Sequence, residues 1–224
     1  AAAEAAGKPA PEPPKDPPTP DPKAQSNFTD PESRIMRNSD KAFIQGYNAQ
    51  IAVDADTQII LAADVTNQAA DSPHLLPMVD QVVANTSRRP IGVLADAGYW
   101  SESNRQGLQS RAMESIIPPE KLRHREWRAA RAPRGRIPRN LSPKDRMRRY
   151  LRTKVGRRRY RRRQVSVEPV IGYLKTTQHC RQFLTRGLAA VRADWRFHCA
   201  VANLAKILRN AGGHKSARPS GTPR

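Results

Sequence analysis

Hydrophobic and polar positions alternate along GYNAQIAVDADTQIILAADV, where two β-rich runs flank a polar segment. The first run alternates loosely, as a strand with one covered face does, at Tyr47, Ala49, Ile51 and Val53. The second run covers residues 59–65, and the polar DADTQ lies between them. The pattern predicts an antiparallel hairpin.

Helix-like and strand-like patterns then alternate. Apolar residues recur at helical spacing at Leu75, Leu76, Val79, Val82 and Val83. Asp71 or Ser72 is the predicted helix cap, with Pro73 in the first turn. IGVLADAG, at 91–98, is a short apolar run that ends in an acid and a glycine, which is typical of a buried central strand. SESNRQGLQS predicts another capped helix and SII, at 115–117, another strand, so the chain is expected to form an α/β layer fold.

Two helical patterns close the chain. The first runs from about Val165 to Phe183, and its predicted core-facing residues are Val167, Val170, Ile171 and Leu174. The second runs from about Leu188 to Leu208, with a predicted apolar stripe at Val191, Trp195, Cys199, Ala202, Leu204 and Leu208. Trp195 and Phe197 are assigned to the core rather than to base stacking.

Charge changes this picture. The chain has 224 residues, a net charge of +20 and a pI near 11.1, and these values point to a polyanionic partner. Residues 121–163 hold 20 Lys or Arg and two acids, so the charge is concentrated in one segment. An aromatic content of 5% argues against a binder built on stacked bases. We interpret the segment as a DNA-tracking surface in preference to a solvated arm.

Composition divides the chain into five predicted segments. They are a disordered Pro/Ala-rich linker at 1–26, an α/β core at 27–117, an Arg-rich DNA-contacting segment at 118–162, C-terminal helices at 163–210 and a disordered tail at 211–224. The helices at 163–210 are expected to complete the same domain as the α/β core.

Asp96 lies at the carboxyl end of the predicted strand in LADAGYW. Ligands of open α/β sheets tend to bind at that edge, so this acid is well placed to reach a substrate. An acid in the same place can also cap the turn into the next helix. The pattern alone leaves both interpretations open.

Glu168 is the second candidate acid. In a helix it would share a face with Gln164, Gly172 and Lys175, and Pro169 would have to lie near the helix start or produce a kink. An acid near a helix start also gains from the helix dipole, which is a purely structural role. Considered together with Asp96, Glu168 suggests a role in metal binding, because carboxylates from separate elements can converge on two Mg²⁺ ions for phosphodiester chemistry.

Several stretches, taken in order, resemble the C-terminal part of a bacterial insertion-sequence transposase of the DDE type. They are NFTDPESRIM, GYNAQIAVD with IILAADVTNQAAD, LADAGYWSESN, YRRRQVSVEPVIGYLK and RGLAAVRADWRFHCAVANLAKIL, which together span about residues 27–210. The resemblance implies a ribonuclease H-like mixed sheet with flanking helices, here with a basic arm and two C-terminal helices. It also implies cutting and joining of DNA ends with Mg²⁺ or Mn²⁺, two ions in the intact site.

The resemblance further implies roles for individual residues. Asp96 corresponds to the second catalytic Asp and Glu168 to the catalytic Glu, both as metal ligands. Tyr160, Arg163 and Lys175 correspond to the Tyr, Arg and Lys of the helical motif around that Glu. These three are predicted to bind DNA together with the neighbouring arginines Arg157, Arg158, Arg159, Arg161 and Arg162.

The family carries its first catalytic Asp in an Asp-Gly-Thr-like context, and the sequence contains no such motif. Asp54 and Asp56 fall in the predicted hairpin turn and are not assigned this role. We therefore expect a fragment with two of the three metal ligands, and little or no DNA cleavage by this chain alone.

The expected partner is double-stranded DNA at element ends and target sites, with a homodimer on DNA as the candidate assembly and no membrane. The expected location is the bacterial cytoplasm, in association with the nucleoid. The alternative function is a non-catalytic basic nucleic-acid-binding module, in which Asp96 and Glu168 are only caps.

Overall fold

The computed structural model describes residues 26–37, 42–121, 133–138 and 140–213. The predicted linker at 1–26 and tail at 211–224 therefore lie almost wholly outside the described residues, as does 122–132 of the Arg-rich segment. The described residues form a mixed α/β fold with small sheets.

The six described strands form three pairs. They are β1 (Arg34–Arg37) with β2 (Phe43–Gly46), antiparallel; β3 (Asn48–Val53) with β4 (Ile60–Thr66), antiparallel; and β5 (Gly92–Leu94) with β6 (Glu114–Ile116), parallel. The β3–β4 pair confirms the predicted hairpin, and β6 confirms the strand predicted at SII. Each pair requires helices to cover its faces.

The turn that joins β3 to β4 is closed by Asp54. Its Oδ2 accepts from the backbone N–H of Thr57 at 2.8 Å and from the Thr57 hydroxyl at 2.5 Å. The hydroxyl and then the N–H lower the pKa of Asp54. Gln58 ends the turn with a left-handed φ of 57°, which is uncommon outside glycine. Residues 54–58, which we call the hairpin turn, therefore have a defined shape.

The predicted helix after the hairpin is α1 (Leu75–Thr86), and a 3-10 turn at Ser72–His74 precedes it. As predicted, Asp71 is the N-cap residue of this turn and Pro73 lies in its first turn, but the Asp71 side chain makes no capping hydrogen bond and the N-cap of α1 itself is His74. The Asp71 carboxylate is bound instead by side chains of β3, as described below.

Helix α1 covers two strand pairs at once. Met78 and Val82 pack with Ala62 of β4, while Leu75 and Val79 pack with Ala95, just after β5. The second contact also includes Leu108 of α2 (Glu102–Ser110). The predicted N-cap of α2 is confirmed, since Ser101 Oγ accepts from the Asn104 N–H at 3.0 Å. Helix α1 thereby fixes β5 relative to the hairpin.

The prediction of a buried central strand at 91–98 is wrong. β5 pairs with β6 alone among the described strands, Gly92 is exposed, and Val93 and Leu94 are only half-buried. Ile91, at the start of the apolar run, is 91% exposed. A short apolar run does not distinguish an edge strand from a central one, because both need at least one covered face.

The Arg-rich stretch is largely helical where it is described. It forms α3 (Pro143–Arg152) and then α4 (Lys154–Thr176), which begins 11 residues before the predicted start at Val165. Arginine is a good helix former, and Thr153 caps α4 by accepting from the Gly156 N–H at 3.0 Å. α4 therefore crosses the expected segment boundary at 162 without interruption.

Helix α5 (Leu188–Gly213) lies along the open edge of β4. Asn203 accepts from the Ile60 N–H and donates to the Ile60 carbonyl, both at 2.8 Å, and Arg196 donates to the Ala63 carbonyl at 3.1 Å. Such bonds give hydrogen-bond partners to backbone N–H and C=O groups of β4 that β3 leaves unpaired. The core between α4, α5 and the hairpin contains Val65, Val170, Leu174, Val191 and Trp195.

Trp195 is buried as predicted, but three residues expected in the core are exposed. Phe197 is 67% exposed, Leu204 56% and Leu208 62%. The predicted apolar stripe includes residues of both faces of α5 because both faces are apolar. Only one of these faces packs on the hairpin.

Candidate active site

Asp96 lies in the turn that follows β5. It is half-buried and caps the 3-10 turn at Ala97–Tyr99, where its Oδ1 accepts from the Ala97 N–H at 2.7 Å. Its carbonyl accepts from the Tyr99 N–H at 3.0 Å. The capping interpretation is therefore confirmed, and a carboxylate held by its own turn has a restricted orientation.

Asp71 packs against this turn from outside. Its Oδ1 accepts from Asn48 Nδ2 at 2.8 Å and from Gln50 Nε2 at 3.1 Å, so two side chains of β3 fix the carboxylate. Its other oxygen faces Gly98, where an added Cβ would lie only 2.6 Å away. The close approach requires glycine, because a larger residue would displace a carboxylate that is already bound twice.

Tyr99 and Asn104 complete the contacts to the turn. The Tyr99 hydroxyl donates to Gln50 Oε1, and burial, then the Asp71 and Asp96 carboxylates, raise the pKa of this phenol. The buried Asn104 donates to the Ser72 carbonyl at 2.7 Å and to the Tyr99 carbonyl at 2.8 Å. Asp96 is thus carried by a turn that is bound to β3, to α2 and to the segment before α1.

Glu168 lies on α4 with its side chain 59% exposed. The next residue, Pro169, is inside the helix and has no N–H to donate to the carbonyl of Val165 one turn earlier. Gln58 Nε2 from the hairpin turn donates to that carbonyl at 2.8 Å. The missing helical bond is therefore replaced, and Pro169 is accommodated well away from the helix start.

Two further contacts attach the hairpin turn to the same part of α4. The Ser166 hydroxyl lies 3.1 Å from the Ala55 carbonyl, and Arg162 forms an ion pair with Asp56. These contacts precede Glu168 by two to six residues. The position of Glu168 is therefore fixed through the hairpin, although its side chain extends into solvent.

Tyr160 and Arg163 lie between the two candidate acids. The Arg163 guanidinium is 5.7 Å from the centre of the Tyr160 ring and 4.0 Å from Glu168 Oε1. Burial raises the pKa of Tyr160, the Arg163 charge lowers it, and the Asp96 carboxylate adds to the rise, so Tyr160 is within electrostatic range of both. The structure therefore places Asp96 near Tyr160 and Arg163 near Glu168, which follows Tyr160 by about 12 Å of helix rise.

Four of the predicted DNA-binding arginines separate into two groups, while the fifth, Arg157, is half-buried. Arg159 is paired with Glu114 and Arg162 with Asp56, so acids of the α/β core already bind these guanidinium groups. Arg158 and Arg161 are exposed, as is Lys175. These three share the solvent face of α4 with Glu168 at steps of three, seven and seven residues, and we call this set the outer face of α4.

Asp96 and Glu168 supply carboxylate oxygens, which are the ligands that Mg²⁺ prefers. Mg²⁺ commonly takes one or two protein carboxylates and completes its shell with water and phosphate oxygens, so the donor chemistry fits this ion. Within the described ranges, no three His, Cys, Asp or Glu side chains are grouped so that they could hold a metal ion.

Comparison with known families gives an assignment that covers most of the chain. The family model described as the transposase DDE domain matches residues 17–204, a span that contains every described strand and both candidate acids. The chain belongs to the transposase DDE domain family. No curated protein and no solved structure matches it.

In this transposase DDE domain, sequence reasoning missed the residues that support the candidate acids. They are Gln50, Asp71 and Asn104 around Asp96, and Gln58 beside Pro169. Gly98, within the turn after β5, was a usable signal, since a glycine there can indicate close approach of another group. No helix among the described residues is long and apolar enough to cross a membrane.

Proposed function

We propose that this chain is part of a DNA transposase, which cleaves DNA strands at element ends and joins them to a target through a ribonuclease H-like catalytic domain. The observation that carries the proposal is the family match over 17–204, and it is supported by the contact of α4, which carries Glu168, with β5, which precedes Asp96. Double-stranded DNA is the proposed partner.

Asp96 and Glu168 would hold Mg²⁺ or Mn²⁺, which in two-metal sites activates a water or 3′-hydroxyl and stabilises the departing oxygen. The turn after β5 orients Asp96 before any ligand binds. Arg163 lies beside Glu168, with its guanidinium 4.0 Å from Oε1. Because the sequence contains no Asp-Gly-Thr motif, the proposal assigns only two of the three family carboxylates to this chain.

The outer face of α4 is the proposed DNA-contacting surface. Arg158, Arg161 and Lys175 are exposed on the face that carries Glu168, so a phosphate backbone lying along the helix would meet the cations and the carboxylate together. Arg159 and Arg162 position α4 through their acid partners and contribute less to DNA binding.

A second candidate function is a non-catalytic nucleic-acid-binding module. The observation in its favour is that Asp96 caps its own turn while the described residues lack a group of three metal-binding side chains. The basic outer face of α4 would serve either function, so DNA binding alone does not distinguish them.

Mn²⁺ binding in the presence of a short DNA duplex, followed by electron paramagnetic resonance, separates the two functions. For a transposase site, Asp96→Asn and Glu168→Gln should each weaken Mn²⁺ binding on the order of 10-fold or more. Asp80→Asn is the matched control, because Asp80 is an exposed acid paired with Arg111 and belongs neither to this turn nor to α4. Equal Mn²⁺ binding by all four proteins would favour the non-catalytic module.

A DNA-nicking assay with the same proteins tests the assignment of two carboxylates. We expect little or no strand cleavage with Mg²⁺, since two ligands should hold the metal weakly. Strong cleavage that is lost in Asp96→Ala would contradict this expectation and show that the chain supplies a complete site.

A further inference from the structure

The pair of β1 and β2, which we call the ribbon, is exposed along most of its length. Each strand has four residues, and among all of them only Met36 is buried. Phe43 is 68% exposed and Ile35 is 42% exposed. A two-stranded pair alone is marginally stable in water, and large apolar side chains at its surface indicate a partner that covers them.

The ribbon is anchored where β1 begins and where β2 ends. The hydroxyl of Tyr47, directly after β2, lies 2.8 Å from both carboxylate oxygens of Asp30. Glu32 Oε2 accepts from the Leu188 N–H at the start of α5 at 2.7 Å, and the Glu32 carbonyl accepts from Asn67 Nδ2 at 3.1 Å. The ribbon therefore extends from a fixed base.

The charge on the ribbon is positive. Asp30 and Glu32 are bound at its base, whereas Arg34 and Arg37 lie on β1 itself and are exposed. Among the residues that the structure describes, no ion pair joins either arginine to an acid. The whole chain carries +20, so a polyanion fits the ribbon better than a second copy of the chain, which the same charge repels.

The strand register places four exposed side chains on one side of the ribbon. Ile35 lies opposite Gln45, and Arg37 lies opposite Phe43. Directly opposite residues of an antiparallel pair share a face, and so do alternate residues of a strand. We call these four side chains the open face of the ribbon. Arg34 lies on the other face, because it is one residue from Ile35 along β1.

The polar side chains of the open face are already oriented. The Arg37 guanidinium lies over the Phe43 ring, 4.8 Å from its centre. Stacking on a ring fixes the guanidinium plane and keeps the N–H donors at its edge. Gln45 Oε1 accepts from the Ser33 hydroxyl at 3.3 Å, which orients the amide, whose oxygen has a second lone pair and whose nitrogen has two donors.

We propose that the open face of the ribbon reads base edges in the major groove of double-stranded DNA. This groove is about 12 Å wide and admits a two-stranded ribbon, and a four-residue strand is about 13 Å long. Arg pairs with guanine, Gln pairs with adenine, and apolar side chains contact the thymine methyl group, and the open face carries all three kinds of group. The inference rests on the proposed function for its partner, and it adds base selection to the phosphate contacts proposed for α4.

Selection of bound duplexes from a randomised library tests the inference. We expect the wild type to enrich a base pattern that contains guanine, and Arg37→Ala to bind the enriched duplex about 10-fold more weakly. Arg34→Ala is the matched control, since it removes the same charge from the other face of the ribbon. It should weaken binding to all duplexes alike and enrich the same pattern. Duplex binding by the wild type without base preference, or equal loss of the pattern in both variants, would overturn the inference.

Base analogues in the enriched duplex locate the contact in the major groove. 7-Deazaguanine lacks the N7 acceptor, so it should weaken binding of the wild type on the order of 10-fold and have little further effect on Arg37→Ala. Uracil lacks the thymine methyl group and should weaken binding of the wild type more than that of Phe43→Ala. Analogue penalties that are the same in the wild type and the variants would contradict a major-groove contact.

Unfolding midpoints show whether each variant is folded. If Arg37→Ala is unfolded, Arg37→Lys replaces it, because Lys retains the charge but lacks the bidentate fork. A folded Arg37→Lys that binds the enriched duplex as tightly as the wild type contradicts the inference. Failure of the wild type to bind any duplex would refute the proposed function as well, whereas binding without base preference refutes this inference alone.

Discussion

The two candidate acids are held in opposite ways. Asp96 is half-buried in a turn that is bonded to Gln50 of β3 through Tyr99 and to Asn104 of α2, and the Asp71 carboxylate lies against its Gly98. Glu168 is exposed, and only the backbone of α4 beneath it is fixed, through Gln58 and Ser166. One carboxylate is therefore oriented by the fold, while the other can still change rotamer when a metal or DNA approaches.

The difference predicts that the Asp96 turn tolerates little change, whereas α4 around Glu168 tolerates more. Gly98→Ala should lower the free energy of unfolding by about 1–3 kcal/mol, because its Cβ would lie 2.6 Å from the bound Asp71 carboxylate. Gly172→Ala has open space on α4 and should raise it by up to about 1 kcal/mol. Urea unfolding followed by tryptophan fluorescence measures both.

Mn²⁺ binding by the same pair sharpens the comparison. Gly98→Ala should weaken Mn²⁺ binding more than Gly172→Ala, although Gly172 is only four residues from Glu168. If the two glycine variants lose stability or Mn²⁺ affinity equally, Asp96 is not oriented by its turn in the way described.

The arginines of α4 should differ in a smaller effect, the salt dependence of duplex binding. Arg158→Ala should reduce the salt dependence of duplex binding by about one ion with little change in stability, because Arg158 is exposed on the outer face. Arg162→Ala should leave the salt dependence nearly unchanged and lower the free energy of unfolding by at most about 1 kcal/mol, since Arg162 is paired with Asp56. Fluorescence anisotropy at several salt concentrations measures binding. Equal salt slopes for the two variants would contradict the division into two groups.

The smallest effect concerns the hairpin turn that supports α4. The Thr57 hydroxyl and N–H lower the pKa of Asp54 below its ordinary value of 3.8. The ionised carboxylate therefore contributes its full stabilisation at pH values above that ordinary pKa. That contribution is lost as the pH falls through the lowered pKa. Asp54→Asn should therefore be less stable than the wild type at neutral pH, and this difference should shrink in acid.

Thr57→Ala provides the matched control for the turn. It removes the hydroxyl donor but retains the backbone donor to Asp54. Its pH dependence, measured by urea midpoints, should lie between those of the wild type and Asp54→Asn. A difference between wild type and Asp54→Asn that stays constant with pH would show that Asp54 acts by shape alone.

The sequence predicts elements better than it predicts their surroundings. The hairpin, α1, α2 and β6 follow from local periodicity and turn chemistry, which depend on near neighbours in the chain. The burial of β5 and the two faces of α5 depend on what packs against them, and apolar composition is the same in either case. The start of α4 was missed because the arginine run was interpreted by its charge, as a DNA-tracking surface, and not by its helix propensity, although arginine favours helix.

The candidate site shows the same limit. Asp96 follows from its strand-end position and Glu168 from its helical pattern, while the resemblance implies their metal role, which stays a prediction. Asp71, Gln50 and Gln58 act through contacts with residues 21–107 positions away in the chain, and nothing in their local sequence marks these partners. Such contacts become visible only when the elements are placed in space.

The bond from Gln58 to the Val165 carbonyl has a consequence for how the chain can vary. An α-helix turns by 100° for each residue, so an insertion upstream would rotate everything beyond it, unless the helix is anchored further along. The hairpin turn anchors α4 at residues 162–166, after most of the arginine run and before Glu168. Insertions or deletions before Arg157 are therefore absorbed at the start of the helix, and Glu168 keeps its direction while the length of the basic stretch changes.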